Sequence, residues 1–173
     1  MLFECNFCSY LSSVFIALGF VMMMCGHAYY TGEETKVAGY VSVAFASIYT
    51  AIILLVYFAQ LTTVRLSDLT SQASYILDFQ KSGLMFNYDL LGYGLMSLST
   101  FFAGLTINAK TKADKWLKCL LMIHGLFFIS CLTFPMLGIF KVGSPKWTGI
   151  AILEFWSLYF CPISILSCIR FRK

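Results

Sequence analysis

"NYDLLGYGLMSLSTFFAGL" (residues 87–105) opens near a carboxylate and then stays apolar for the length of a helix, while Gly, Ser and Thr recur through its interior. Residues three and four apart share one helix face. Asp89, Tyr93, Ser97, Thr100, Gly104 and Asn108 therefore form a row down the whole segment. Lipid gains nothing from such a face. Neighbouring helices gain close backbone approach and hydrogen bonds, about 0.6–2 kcal/mol per polar contact. The stretch thus predicts a helix packed inside a bundle of membrane helices.

The rest of the chain agrees. Of 173 residues, 60% are hydrophobic and only 12% charged, and the mean hydropathy is +0.81. Apolar runs recur at about residues 7–28, 38–61, 90–107, 116–140 and 147–169, each near the ~20 residues needed to cross the hydrocarbon. A soluble domain of this size would have no polar shell left to face water. Without water, backbone polar groups must pair internally, so each run is expected to be helical. The expected fold class is all-α: one domain over residues 1–173, a polytopic bundle of about five spans. The first run lacks the basic n-region of a signal peptide, the first Lys or Arg being Lys36. It is expected to remain in the mature protein.

Orientation follows from Lys and Arg in the short loops. Lys36, Lys110, Lys112, Lys115, Lys118, Arg170, Arg172 and Lys173 fall on one side of a five-span chain, against Arg65, Lys81, Lys141 and Lys146 on the other. The N-terminus is expected outside and the C-terminus in the cytoplasm, in the plasma membrane. The net charge of +4 is mostly this signal, with some attraction to anionic lipid. No basic domain points to nucleic acid.

The long connection between the second and third runs carries Leu66, Leu69, Ala73, Ile76 and Leu77 at helical spacing. An amphipathic helix is expected there on the outer face, capped by Ser67 or Asp68 and stopped at Gly83.

Polar faces recur in two other runs. In the last, Glu154, Ser157, Cys161, Ser164 and Cys168 repeat at the helical interval beside Pro162. Glu154, about two turns inside the membrane, must be protonated, paired or hydrated. In the second run Gly39, Ser42, Ala46, Tyr49, Tyr57 and Gln60 mark a similar row. Tyr57, Gln60, Arg65, Asp89, Tyr93 and Glu154 then converge near the outer level, with Arg65 the natural partner for Asp89 or Glu154. These six form the candidate ligand-binding set. Ser97, Thr100, Gly104, Ser157 and Cys161 are expected to pack helices or line the pocket.

Other chemistry is sparse. His27 and His124 are weak candidates for metal or haem ligation, since their depths differ. Cys5 and Cys8 form a CxxC that is a weak redox candidate without a strand-to-helix context. No metal site and no cofactor is expected. Neither a zinc-protease motif, a nucleophile elbow, a P-loop nor a dinucleotide fingerprint is present. Trp116, Trp147 and Trp156, with Tyr29 and Tyr30, are expected mostly in interfacial belts.

The segments "VYFAQLTTVRL" (56–66), "YDLLGYGLMSLSTFFAGL" (88–105) and "EFWSLYFCPISIL" (154–166) resemble a family of small bacterial integral membrane proteins of unknown function, over roughly residues 39–171. The resemblance implies a membrane setting and carries no activity, catalytic residue or ligand. The expected function is non-enzymatic: binding or transport-like, with an outer polar pocket between spans two, three and five for a small polar or amphipathic molecule. A membrane-embedded partner or regulatory subunit is the first alternative, and homo-oligomerisation suits either. A haem-, quinone- or thiol-dependent redox enzyme is the second.

Overall fold

In the computed structural model the backbone is described for residues 2–140 and 146–172, and the side chains for residues 6–140 and 155–172. Every regular element among these is helical: α1 (Leu2–Tyr29), α2 (Lys36–Ala59, running on as a π-helical turn over Gln60–Val64), α3 (Ser71–Leu77), α4 (Leu84–Thr106), α5 (Lys112–His124), α6 (Phe127–Met136) and α7 (Lys146–Phe171). The five expected runs coincide with α1, α2, α4, α5 joined to α6, and α7. Three stretches, Asn6–Tyr29, Glu33–Val64 and Lys112–Met136, are long and apolar enough to cross a membrane, and α7 contributes the shorter apolar stretch Phe155–Phe171. The outward surface is apolar too, as at Leu55 (73% exposed) and Leu158 (71% exposed). That is the reverse of a water-facing helix.

α4 is missing from those three because Asp89, the glycines and the hydroxyl residues lower its hydropathy, and its position explains why this is tolerated. It is the central helix, packed against α1, α2, α3, α5 and α6. Gly92, Gly94, Ser97, Ser99, Thr100, Ala103 and Gly104 are all buried. The missing side chains are what bring the backbones together. A Cβ on Gly92 would stand 3.2 Å from Ile53 of α2, one on Gly94 3.4 Å from Cys131 of α6, and one on Gly104 2.8 Å from Met122 of α5. Ser42 of α2 and Ser99 of α4 hydrogen-bond reciprocally, each hydroxyl donating to the other's carbonyl at 2.8 Å. The Thr50 hydroxyl likewise donates to Ala17 O of α1 at 3.1 Å.

The fourth expected run is broken. α5 starts in a capping box, with Thr111 accepting from Asp114 N and Asp114 accepting from Thr111 N. It ends at His124, and the chain tightens through Gly125 and Leu126 by hydrogen bonds three residues apart before α6 begins. A Cβ on Gly125 would lie 2.6 Å from Phe101 Cβ, so the break sits where α4 presses closest.

The connection before α4 also differs from expectation. α3 is only Ser71–Leu77 and is capped by Thr70, which accepts from Ala73 N, not by Ser67 or Asp68. Leu66 and Ile76 remain exposed, so no long amphipathic face forms. Gly83 does mark the join to α4: a side chain there would run into Tyr75 O.

Candidate functional site

The polar row of α4 is answered first by α5 and α7. His124 ends α5 fully buried. Trp156 Nε1, which can only donate, gives its hydrogen to His124 Nε2 at 2.6 Å. Nε2 is therefore the acceptor, and the ring proton must sit on Nδ1. Nδ1 then donates to Thr100 Oγ1 at 2.8 Å, and the Thr100 hydroxyl donates on to Ser97 O at 2.8 Å. Geometry alone assigns every proton in this chain, from α7 through α5 to α4. His124 is neutral and both its nitrogens are spent.

That arrangement removes the weak metal and haem candidacy of the histidine pair. His27 Nε2 pairs with Ser167 Oγ at 3.0 Å. The two histidines thus dock on α7 eleven residues apart (156 and 167), about 16 Å along a helix at ~1.5 Å per residue. They cannot share an iron or a metal ion. Among the described residues no group of three or more metal-ligating side chains converges.

Beside the His124 chain lies a cavity of about 140 Å³ between α4, α6 and α7, lined by Leu90, Phe127, Ser130, Cys131, Phe134, Phe140, Phe155 and Trp156. Its rings face different ways: Phe127 and Phe155 meet at 78° with centroids 5.6 Å apart, and Phe127 and Trp156 at 55° and 5.4 Å. The walls are aromatic and nearly devoid of polar atoms.

The expected polar set is partly assembled and partly dispersed. Tyr57, Asp89 and Tyr93 do cluster. Asp89 is 3% exposed, and its Oδ1 has no hydrogen-bond partner among the described residues. Tyr93 lies tilted between the rings of Tyr49 of α2 and Trp156 of α7, at 5.9 and 5.1 Å, and so joins this cluster to the cavity wall. Gln60 is otherwise engaged. Its amide donates to Leu77 O at 2.8 Å and accepts from Phe79 N at 3.0 Å, clamping the α3 connection onto the bundle. The π-helical turn supplies the extra rotation there. Phe79, held in this way, covers Tyr57 and Tyr10 at 5.9 and 6.2 Å. Arg65 does not meet Asp89: it is exposed, bonds Leu61 O of its own helix and lies over the Phe7 ring at 4.9 Å. Glu154 lies outside the described side chains.

Of the packing set, Ser97, Thr100 and Gly104 are buried as expected. Ser157 and Cys161 are not: with Ser164 and Cys168 they are exposed. α7 is rotated so that Trp156, Ile163 and Ser167 are buried, with Tyr159 and Phe160 partly so. Aromatic contacts with His124 and Phe127 (Tyr159 at 5.6 and 5.9 Å) outweigh the small-residue row. Trp156 is consequently inside and not in an interfacial belt, whereas Trp116 is 66% exposed. Cys8 is exposed, and Cys5 lies outside the described side chains, as does Trp147.

Sequence reasoning missed two links. One is Trp156 to His124, whose only signal is that both occupy apolar runs and need partners. The other is the ion pair between Arg170 of α7 and Asp114 of α5, 3.3 Å apart and largely buried, which ties the end of α7 to the start of α5. Both charges lie where only loop-charge counting had been applied. No family model, curated protein or solved structure matches the chain.

Proposed function

We propose that this is a multi-pass plasma-membrane protein of about five spans, N-terminus outside and C-terminus cytoplasmic, that acts without catalysis as a binding or transport-like protein. The resemblance to small bacterial membrane proteins fits that setting and adds no chemistry. The ligand is a small amphipathic molecule whose apolar part enters the cavity between α4, α6 and α7. The observation that carries this reading is the cavity itself: an aromatic-walled space of about 140 Å³, close to the ~150 Å³ that accepts one benzene ring, whose Trp156 wall also packs against Tyr93 at 5.1 Å. An outer polar pocket between spans two, three and five was expected from sequence, whereas the cavity lies between spans three, four and five. Neither Gln60 nor Arg65 is part of it.

A panel of lipids and metabolites tested by thermal shift on the detergent-purified protein examines the proposal. A ligand at ~100 times its Kd stabilises by about 2.7 kcal/mol. Ser130→Leu adds bulk to the cavity lining while removing only a hydrogen bond within its own helix, to Phe127 O. It should abolish the shift. A ligand that stabilises the variant as well as the wild type binds elsewhere.

The second reading, a partner or regulatory subunit, is favoured by the exposed row Ser157, Cys161, Ser164 and Cys168 on α7, a surface suited to close helix approach. If it holds, Ser157→Leu with Cys161→Leu will dissociate an oligomer or complex without changing the stability of the monomer. The redox reading has lost its histidine pair and keeps only the CxxC.

A further inference from the structure

The segment 66–83 closes over a carboxyl that has no partner. Asp89 is 3% exposed, with Oδ1 buried and without a hydrogen-bond partner among the described residues. No cation pairs with it there: the ion pairs formed are Lys36 to Glu33 and Arg170 to Asp114. An ionised carboxylate is too costly in such a place, so the closed bundle holds Asp89 as the neutral acid. Phe86 precedes Asp89 by three residues and shares its helix face. Phe79 packs on Phe86 at 5.3 Å, and on Tyr57 of α2 and Tyr10 of α1 at 5.9 and 6.2 Å, while Gln80 and Lys81 beside it are exposed. The Phe79 ring therefore plugs the end of α4 that carries the carboxyl. Its hold is slight. The buried Gln60 amide fastens the segment by two hydrogen bonds, to Leu77 O and from Phe79 N, and the chain enters α4 through Ser82 at φ 52°, a left-handed conformation that a side chain disfavours. The titratable side chains in electrostatic contact with Asp89 are Tyr10 of α1, Tyr49 and Tyr57 of α2, Tyr93 of α4 and Cys131 of α6. Asp78 and Lys81 belong to the segment itself, and α5 meets α4 around Thr100 and Gly104, about three turns further along.

We infer that Asp89 is a proton-binding site closed by the segment 66–83, and that loss of its proton releases the segment, Phe79 leaving the cluster to admit water to the carboxylate. The direction follows from linkage. The closed form holds one more proton than the open form wherever the open carboxyl is ionised, so closure is favoured at low pH and is lost as pH rises.

The test uses the full chain in maltoside micelles from about pH 5 to about pH 9, the span over which buried carboxyls titrate. Infrared difference spectra of the wild type against Asp89→Asn should show the C=O stretch of a protonated carboxylic acid at the acidic end and lose it as pH rises. With para-fluorophenylalanine in place of Phe79, fluorine NMR should show a buried signal that gives way, over the same pH interval, to one relaxed by a water-soluble gadolinium complex. Asp89→Asn, neutral at every pH, should keep the buried signal throughout, whereas Asp78→Asn should retain the wild-type pH dependence. Gln60→Ala removes both clamping bonds and should raise the open fraction about tenfold, equivalent to about 1.4 kcal/mol. Absence of the carboxyl band at the acidic end overturns the proton site. A band that titrates while the fluorine signal stays buried overturns the release, as does pH-dependent opening that persists in Asp89→Asn. Should that variant fold poorly, the wild type decides alone: its infrared and fluorine midpoints must coincide, and midpoints that differ overturn the inference.

Discussion

Replacing Trp156 by Phe should damage the protein through His124. The indole N–H is the sole donor to Nε2 among the described residues, and the Nδ1 proton is committed to Thr100, so the phenyl ring strands a buried acceptor. An unmade hydrogen bond of this kind costs about 1–3 kcal/mol, and the two lost ring carbons add about 1.6 kcal/mol at ~0.8 kcal/mol per buried carbon group. The expected loss is roughly 2.6–4.6 kcal/mol, summing those two effects. A double-mutant cycle with His124→Phe separates them, since the double variant has no stranded acceptor. Unfolding in mild detergent, followed by circular dichroism, should give a coupling of about 1–2 kcal/mol, near the upper end for interhelical hydrogen bonds. Additivity within about 0.5 kcal/mol would refute the reasoning, as would nitrogen NMR placing the imidazole proton on Nε2 of the wild-type ring.

Glycine substitutions should separate close approach from mere helix propensity. Gly125→Ala, with a Cβ only 2.6 Å from Phe101 Cβ, should lose about 1–3 kcal/mol by overpacking. Gly19→Ala, which meets nothing within 4 Å, should gain up to about 1 kcal/mol from helix propensity; the same unfolding assay reads both. Ser42→Ala and Ser99→Ala each break one arm of the reciprocal pair. Each should cost about 0.6–2 kcal/mol, the double variant costing less than their sum. Gln60→Ala frees the connection that its amide clamps, so limited proteolysis should cut between residues 66 and 83 much faster while helix content stays unchanged.

Much of the site was legible where the chemistry is local. The row from Asp89 to Gly104 lies on one side of one helix, and its spacing follows from helical periodicity whatever surrounds it; the structure finds Ser97, Thr100 and Gly104 buried. The capping box at Thr111 and Asp114 is equally local, though it was not read from the sequence. Legibility ended where two surfaces had competing claims. α7 offers a small-residue row and an aromatic row, and periodicity cannot say which one turns inward. Arg65 was matched to Asp89 by charge alone, yet its guanidinium donates to the Leu61 carbonyl one turn back and stays exposed.

The amino-acid order by itself determined that the chain forms apolar helices, roughly which stretches they occupy but not the break between α5 and α6, and that α4 has a face suited to other helices. These properties depend on residues within a turn or two of one another. Tertiary packing alone decided which neighbour each face meets: α7 turned by its aromatic side, Trp156 brought to His124, and Asp89 buried with no ion-pair partner among the described residues. Between lipid-immersed helices no hydrophobic gradient selects a rotation. The choice falls to ring contacts, backbone approach and a few hydrogen bonds that exist only once the bundle has assembled.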